Sequence, residues 1–178
     1  ERDLAVKAGL GRAAENCTLL NPQLGSYTAL GTILLNYHLE PTPALDDTSA
    51  FCRECGQCRA ACPSGALQEP YILNPHRCIS YITQSAGTVP HHLRPLMGTH
   101  LYGCDRCQEA CPSNGSAVRK KSSAADKEHR TIFFPARPLL IPMLTMTQKE
   151  FDLTIGRTAA GWRGKTILQR NAVIALGN

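Results

Sequence analysis

An α+β architecture in three parts is predicted by three features of this 178-residue sequence. Two cysteine runs, Cys52-x2-Cys55-x2-Cys58-x3-Cys62-Pro63 and Cys104-x2-Cys107-x3-Cys111-Pro112, mark a small metal-organised module over residues 46–118. A mixed helix and strand segment, residues 1–45, precedes it. After it, over residues 119–178, apolar residues recur at helical spacing. The 43% hydrophobic content suits a soluble globular chain, and no apolar run approaches the length of a membrane span.

The cysteine runs carry the chemistry. In the bacterial-ferredoxin pattern the first three cysteines of such a run hold one [4Fe–4S] cluster, and the fourth, before proline, reaches across to a second. Two clusters need eight thiolates, and the second run lacks its leading cysteine; Cys78 fills the gap. Cross-wiring then gives one cluster on Cys52, Cys55, Cys58 and Cys111 and another on Cys62, Cys78, Cys104 and Cys107, leaving Cys17 over. Zinc is the main rival, but a structural zinc site wants four ligands in paired knuckles. Disulfides fit less well: the count of nine is odd, no secretory segment is visible, and the spacing is tight. The thiols read as intracellular.

In the first segment the sequence predicts a helix over Asp3–Ala8, a turn at Gly9-Leu10-Gly11, a strand around Cys17–Leu20 and a buried helix over Tyr27–Leu39, with Pro41-Thr42-Pro43 ending the region. In the module, short helices follow the cysteine runs and alternate with strands at Ala66–Gln68 and Tyr71–Leu73. Gly115–Arg130 reads as polar loop and Phe133–Pro142 as extended. Helices resume at Thr147, where Thr147-x-x-Glu150 is a capping box and Phe151 and Ile155 share an apolar face. Over Lys165–Leu176 the residues Ile167, Leu168, Ala172 and Ala175 form the inner face, with Arg163, Lys165 and Arg170 projecting outward. Two helices joined by Ala160-Gly161-Trp162-Arg163-Gly164 suggest one unit of a helical repeat.

Charge divides the chain. The total is +5, made of −2 over residues 1–118 and +7 over residues 119–178, with the densest run at Arg119-Lys120-Lys121. Such asymmetry suggests a polyanionic partner, nucleic acid being the commonest. A solvated surface or counter-charge for anionic clusters accounts for it equally.

Three strings carry a family resemblance: Arg77-Cys78-Ile79-Ser80-Tyr81-Ile82-Thr83; Leu96-Met97-Gly98 with Tyr102-Gly103-Cys104-Asp105-x-Cys107-Gln108-x-x-Cys111-Pro112; and Leu168-x-Arg170-Asn171-Ala172-x-Ile174-Ala175-Leu176-Gly177-Asn178. The sequence resembles epoxyqueuosine reductases nearly end to end, and the resemblance accounts for the solitary Cys78. It implies a ferredoxin-like double [4Fe–4S] module flanked by the end of a cobalamin-binding α/β domain and the start of a HEAT-like repeat. It implies a cytoplasmic, monomeric oxidoreductase that reduces the epoxide of epoxyqueuosine in tRNA, electrons from an external donor passing through both clusters to cobalamin. Ser80, Cys104 and Asp105 would approach the cobalamin, placing the Cys78 and Cys104 cluster nearer to it. Arg119, Lys120, Lys121, Arg170 and Asn171 would face the anticodon region of tRNA, with capping or inter-helix hydrogen bonds the equal alternative for Arg170 and Asn171.

The chain also departs from the family pattern. A Gly-x-Gly-Trp-x-Gly-Lys-Asn turn of the cobalamin region here reads Gly9-Leu10-Gly11-Arg12-Ala13-Ala14-Glu15-Asn16, reversing a charge at Glu15, and Ser113 follows Pro112 where tryptophan is common. The proton-donor aspartate of the family lies before the point matching Glu1, so no catalytic residue is assigned, and both ends read as internal to a longer protein. Without cobalamin, the same cysteines fit a ferredoxin-like electron carrier docking to a partner oxidoreductase. A corrinoid reductase acting on another substrate lies between the two readings. His91, His92 and His100 read as surface or core histidines, Cys17 as a buried apolar residue in a strand, and Trp162 as core.

Overall fold

The computed structural model describes residues 1–41, 52–117 and 138–178. They form two compact units, Glu1–Asn74 with Asp105–Lys121, and Pro75–Cys104 with Ser122–Asn178. The expected boundaries at 45/46 and 118/119 lie outside the described residues. Among those residues no helix is long and apolar enough to cross a membrane.

The first unit is built from short pieces. The helix Arg2–Lys7 ends in Gly9, whose φ of 72° reverses the chain. Strands Arg12–Ala13 and Leu19–Leu20 then pair antiparallel, Arg12 opposite Leu20. Gly11 is obligatory beside this pair, because a Cβ there would stand 2.5 Å from the Leu20 carbonyl oxygen. The helices Cys52–Cys55, Gln57–Ala60, Arg106–Glu109 and Pro112–Ala117 carry or flank the cysteines. Leu67–Glu69 and Ile72–Leu73 form the second antiparallel pair, close to the predicted strands.

Among its described residues the buried apolar side chains are Ala5, Ala14, Leu19, Leu20, Ala66 and Leu67, beside the buried polar Glu15, Asn16, Ser26, Ser64 and Asn114. Asn114 joins several segments: its Oδ1 accepts from the Ser26 N–H at 2.7 Å, and its Nδ2 donates to Ser26 Oγ and the Gln108 carbonyl.

Three sequence expectations change here. Tyr27–Leu39 is not a helix but irregular, exposed chain, with Ile33 at 82% and Leu34 at 93% exposure. Gly31 and the β-branched Thr28, Thr32 and Ile33 weaken a helix, and no apolar face of the unit covers the leucines. The strand expected from Cys17 is confined to Leu19–Leu20, because Cys17 has φ 64° and sits half-buried in the turn rather than in a strand. Gly115–Ala117, expected to open a loop, belong to helix Pro112–Ala117; residues 118–130 lie outside the described set.

The second unit has two apolar clusters. Ile79, Ile82, Val89, Leu93 and Met97 form one, with Cys104 and Ile174 packed against it. Met143, Phe151, Ile155, Leu168 and Ala172 form the other. Leu140–Thr145 is helical where extended chain was expected through Pro142; proline in the first turn removes an N–H that has no intrahelical acceptor. The capping box is present: Thr147 Oγ1 accepts from the Glu150 N–H at 3.2 Å, and the Thr147 N–H donates to Glu150 Oε2 at 2.7 Å. Helix Gln148–Leu153 leads through 3-10 turns at Ile155–Arg157 and Ala159–Arg163 to helix Lys165–Leu176. Gly161 permits this packing, since a Cβ would lie 2.5 Å from the Ile155 carbonyl oxygen.

Arg170 and Asn171 point inward, contrary to the outward arginine read from sequence and as the alternative of inter-helix hydrogen bonds expects. Asn171 is fully buried, and its Nδ2 donates to the carbonyls of Thr83 and Leu101, both at 2.7 Å. The Arg170 guanidinium donates to the carbonyls of Ser85 and Gly87 at 2.7 Å and of Ile82 at 3.1 Å, and to Asn171 Oδ1. Several of these are the orphan carbonyls at the end of helix Ile79–Gln84, where a cation is also favoured by the helix dipole. Trp162 departs the other way. It is 62% exposed rather than core, its Nε1 donating to Tyr102 Oη at 3.0 Å while Arg163 stacks over its ring at 3.7 Å.

Replacing Asn171 by Ala removes the donor to the half-buried Leu101 carbonyl and leaves the Thr83 carbonyl with only Arg170 Nη2 at 3.5 Å, an expected loss of about 1–3 kcal/mol. Thermal unfolding of Asn171→Ala against wild type checks this, with Val173→Ala, an exposed position on the same helix, expected within about 0.5 kcal/mol of wild type.

Candidate metal centre

Cys52, Cys55, Cys58 and Cys111, the four thiols assigned to the first cluster, line one cleft of the first unit, together with Glu15, Asn16 and Pro112. The cleft is partly open to solvent. Among the described residues no three His, Cys, Asp or Glu side chains gather tightly enough to hold one metal ion.

Local structure explains how the run presents its thiols. Cys52 and Cys55 bound a one-turn helix, and Gly56 at φ 61° breaks it so that Cys58 re-enters the cleft from the next turn. Cys111 arrives at the end of Arg106–Glu109, just before Pro112 opens its helix. The Glu15 N–H donates to Cys52 Sγ at 3.4 Å. Such bonds to sulfur favour thiolate and stabilise a bound cluster.

The thiols are not equivalent. Burial pushes the Cys52 pKa up, against the pull of the Glu15 N–H, and burial followed by the Glu15 carboxylate pushes Cys58 up. Cys62 runs the other way: burial would raise it, but N–H groups of Leu67, Ala66 and Ser64 and the Ser64 hydroxyl bring it below the usual thiol value. The Ala66 N–H reaches Cys62 Sγ at 3.3 Å. Cys52 and Cys58 therefore release protons on binding metal, whereas Cys62 is nearer to a ready thiolate.

Of the second expected set, Cys62 and Cys107 belong to the first unit and Cys78 and Cys104 to the second. Cys78 is the N-cap residue of helix Ile79–Gln84, and Cys104 packs against the Ile79–Met97 cluster. All nine cysteines are half-buried and none forms a disulfide. Ser80 is half-buried, its Oγ accepting from Gln84 Nε2, and Asp105 is exposed, its Oδ1 accepting from Gln108 Nε2. His91 and His92 are exposed, and His100 Nδ1 lies 2.8 Å from the Met97 carbonyl. Arg119, Lys120 and Lys121 lie outside the described residues.

Glu15 is the residue whose place the sequence did not reveal. It was noted for a charge reversal in a cofactor turn, and the fold sets it in the thiol cleft. The signal available was its neighbourhood: an acidic residue flanked by Ala14 and Asn16 in a buried turn.

A cleft of four thiols at ferredoxin spacing, in a mixed α and β fold, defines an iron–sulfur protein. Residues 51–114 match the family described as a 4Fe-4S double cluster binding domain. The chain is 39% identical over its whole length to an epoxyqueuosine reductase of Bacillus subtilis (strain 168) and 37% identical to that of Escherichia coli (strain K12), covering 44% and 45% of those proteins. A solved epoxyqueuosine reductase from Bacillus subtilis superposes with TM-score 0.81 at 38% identity, over 98% of this chain and 45% of that one. Another, an epoxyqueuosine reductase with an epoxyqueuosine-modified tRNA stem loop, gives 0.78 at 37% identity, over 98% and 45%. Over its whole length the chain is similar to epoxyqueuosine reductases, and it spans slightly less than half the length of these relatives.

The pKa directions predict the order of thiol reactivity. In metal-free protein, the pH midpoint for alkylation at Cys62 is expected below those at Cys52 and Cys58, as followed by mass spectrometry of iodoacetamide-treated protein across pH 6–10. Coincident midpoints would show that the N–H groups around Cys62 do not act on its thiol.

Proposed function

We propose that this chain is the electron-transfer portion of an epoxyqueuosine reductase, acting in the cytoplasm on tRNA as part of a longer protein. The observation that carries the proposal is the cleft shared by Cys52, Cys55, Cys58 and Cys111. In this reading those thiolates hold one [4Fe–4S] cluster, and Cys62, Cys78, Cys104 and Cys107 hold the other by the order of the sequence. The N–H groups directed at Cys52 and Cys62 stabilise the thiolates and contribute to the cluster potentials. Electrons enter from an external donor.

Ser80 suits a corrinoid edge, because its hydroxyl accepts from Gln84 and still has its own proton to donate to an amide carbonyl. Asp105, exposed beside Cys104 in the sequence, offers a carboxylate to amide N–H groups. Ser80, Asp105 and the Cys104 backbone would hold cobalamin, which when bound supplies the reductive chemistry on the epoxide. The preceding segment, residues 1–45, would complete a cobalamin-binding domain, and helices Gln148–Leu153 and Lys165–Leu176 would begin a HEAT-like repeat.

Arg170 and Asn171 are engaged by main-chain carbonyls, and other residues are the better candidates for tRNA contacts. Arg119, Lys120 and Lys121 supply a phosphate-binding run. Exposed Trp162 with Arg163 stacked on it offers a platform for an unpaired base.

Anaerobic reconstitution is expected to give about eight iron and eight sulfide per chain, as two four-iron clusters require. Cys78→Ala should lose about half of each and Cys17→Ala none. Equal losses in the two variants, or stoichiometric zinc, would remove the assignment.

In the full-length protein, replacing Arg119, Lys120 and Lys121 together by Ala should weaken binding of a tRNA stem loop. It should also reduce the slope of log affinity against log salt by roughly one for each phosphate that is no longer neutralised, with iron content unchanged. Fluorescence anisotropy at several salt concentrations measures it. An unchanged slope assigns the run to solvent.

A further inference from the structure

We infer that Glu15 and Arg59 form a fixed-charge pair that sets the reduction potential of the cluster held by Cys52, Cys55, Cys58 and Cys111. The inference rests on the reading of that cleft as a cluster site. Glu15 is 1% exposed and lines the cleft with all four thiols. Among the described residues neither of its carboxylate oxygens has a hydrogen-bond partner. Its nearest opposite charge is Arg59, whose Nε stands 3.5 Å from Oε2 without completing a hydrogen bond, and whose side chain is 37% exposed.

This is a poor arrangement for stability. A buried carboxylate whose oxygens are unsatisfied, facing a half-solvated cation at ion-pair distance, carries its desolvation penalty largely uncompensated. A glutamine or an apolar residue would suit the turn better if packing were its only purpose. Glu15 also brings two groups of opposite sign to the cleft. Its N–H donates to Cys52 Sγ, favouring thiolate, while its carboxylate lies in the wall of the cleft that Cys52 and Cys58 line.

A cluster on four thiolates is anionic, and reduction adds one more negative charge to it. A carboxylate in the same low-dielectric cleft opposes that addition and lowers the potential, whereas the arginine favours it and raises the potential. The pair holds the two effects in balance, and removing either partner must shift the potential in opposite directions. Glu15 and Arg59 are positioning residues in this account, since neither ligates iron nor meets substrate.

The test is a redox titration of the full chain, reconstituted anaerobically, with the reduced cluster followed by electron paramagnetic resonance and iron and sulfide counted in every variant. The Cys78→Ala background isolates the signal of the first cleft. Glu15→Gln keeps the shape and removes the charge. Poised at the wild-type midpoint, it is expected to raise the reduced-to-oxidised ratio at least tenfold, an upward shift of about 59 mV for one electron. Arg59→Gln is expected to shift the midpoint downward, and Glu15→Asp to lie closest to wild type. Wild-type iron content with an unmoved midpoint in Glu15→Gln would overturn the inference. So would shifts of the same sign in Glu15→Gln and Arg59→Gln, which local loosening produces. If Glu15→Gln loses its iron, Arg59→Gln decides alone, and an unmoved midpoint there overturns it. Absence of a four-iron cluster in the wild-type cleft would instead overturn the cluster reading.

Discussion

Four thiols must meet in one cleft of a unit whose described residues include few buried apolar side chains with which to hold them. The buried apolar set around the cleft is half alanine, and burial of alanine contributes little. What holds the cage is backbone: the left-handed Gly56, the close approach at Gly11 that lets two strands pair, and the Asn114 amide joined to Ser26 and Gln108. A cluster bound there would cross-link Cys52 and Cys111, residues far apart in the chain, and in such small modules metal binding and folding are one process. The sequence around the cysteines accordingly favours turn residues over bulk.

The second unit solves a different problem. It has conventional apolar packing, and its polar side chains serve as joints between elements. Arg170 and Asn171 sit side by side on helix Lys165–Leu176 and together engage carbonyls of Ile82, Thr83, Ser85, Gly87 and Leu101. An unsatisfied buried carbonyl is destabilising, and this pair removes several at once. A motif that resembles a nucleic-acid contact by composition is thus explained by the internal needs of a helix end.

Most parts legible in the sequence have partners close along the chain; Cys111, which the ferredoxin order places with Cys52, Cys55 and Cys58, is the exception. The ferredoxin spacing depends on a few residues at a time, and the capping box at Thr147 joins positions three apart. Arg170 was read as outward because charge is normally solvated; its carbonyl acceptors lie more than eighty positions away and left no local trace. Trp162 was read as core for its size, and instead Tyr102 and Arg163 support an exposed indole. The Tyr27–Leu39 segment has apolar content without a strict period, and composition alone did not separate a buried helix from exposed irregular chain. Cys17 shows the same limit, since a left-handed turn at a cysteine has no propensity signature.

Glu15 joins these threads. By sequence it is a charge reversal in a glycine-rich turn, and the nearest explanation was an altered cofactor pocket. The fold turns that residue into the wall of the thiol cleft, where its backbone serves one sulfur. A carboxylate in that place is tolerable only if its cost is offset elsewhere, and the ion pair with Arg59 offsets it only in part because no hydrogen bond forms. Stability alone favours a neutral side chain at the position. The residue makes physical sense where the group in the cleft changes charge during its work, because there a fixed negative charge discriminates between the two redox states.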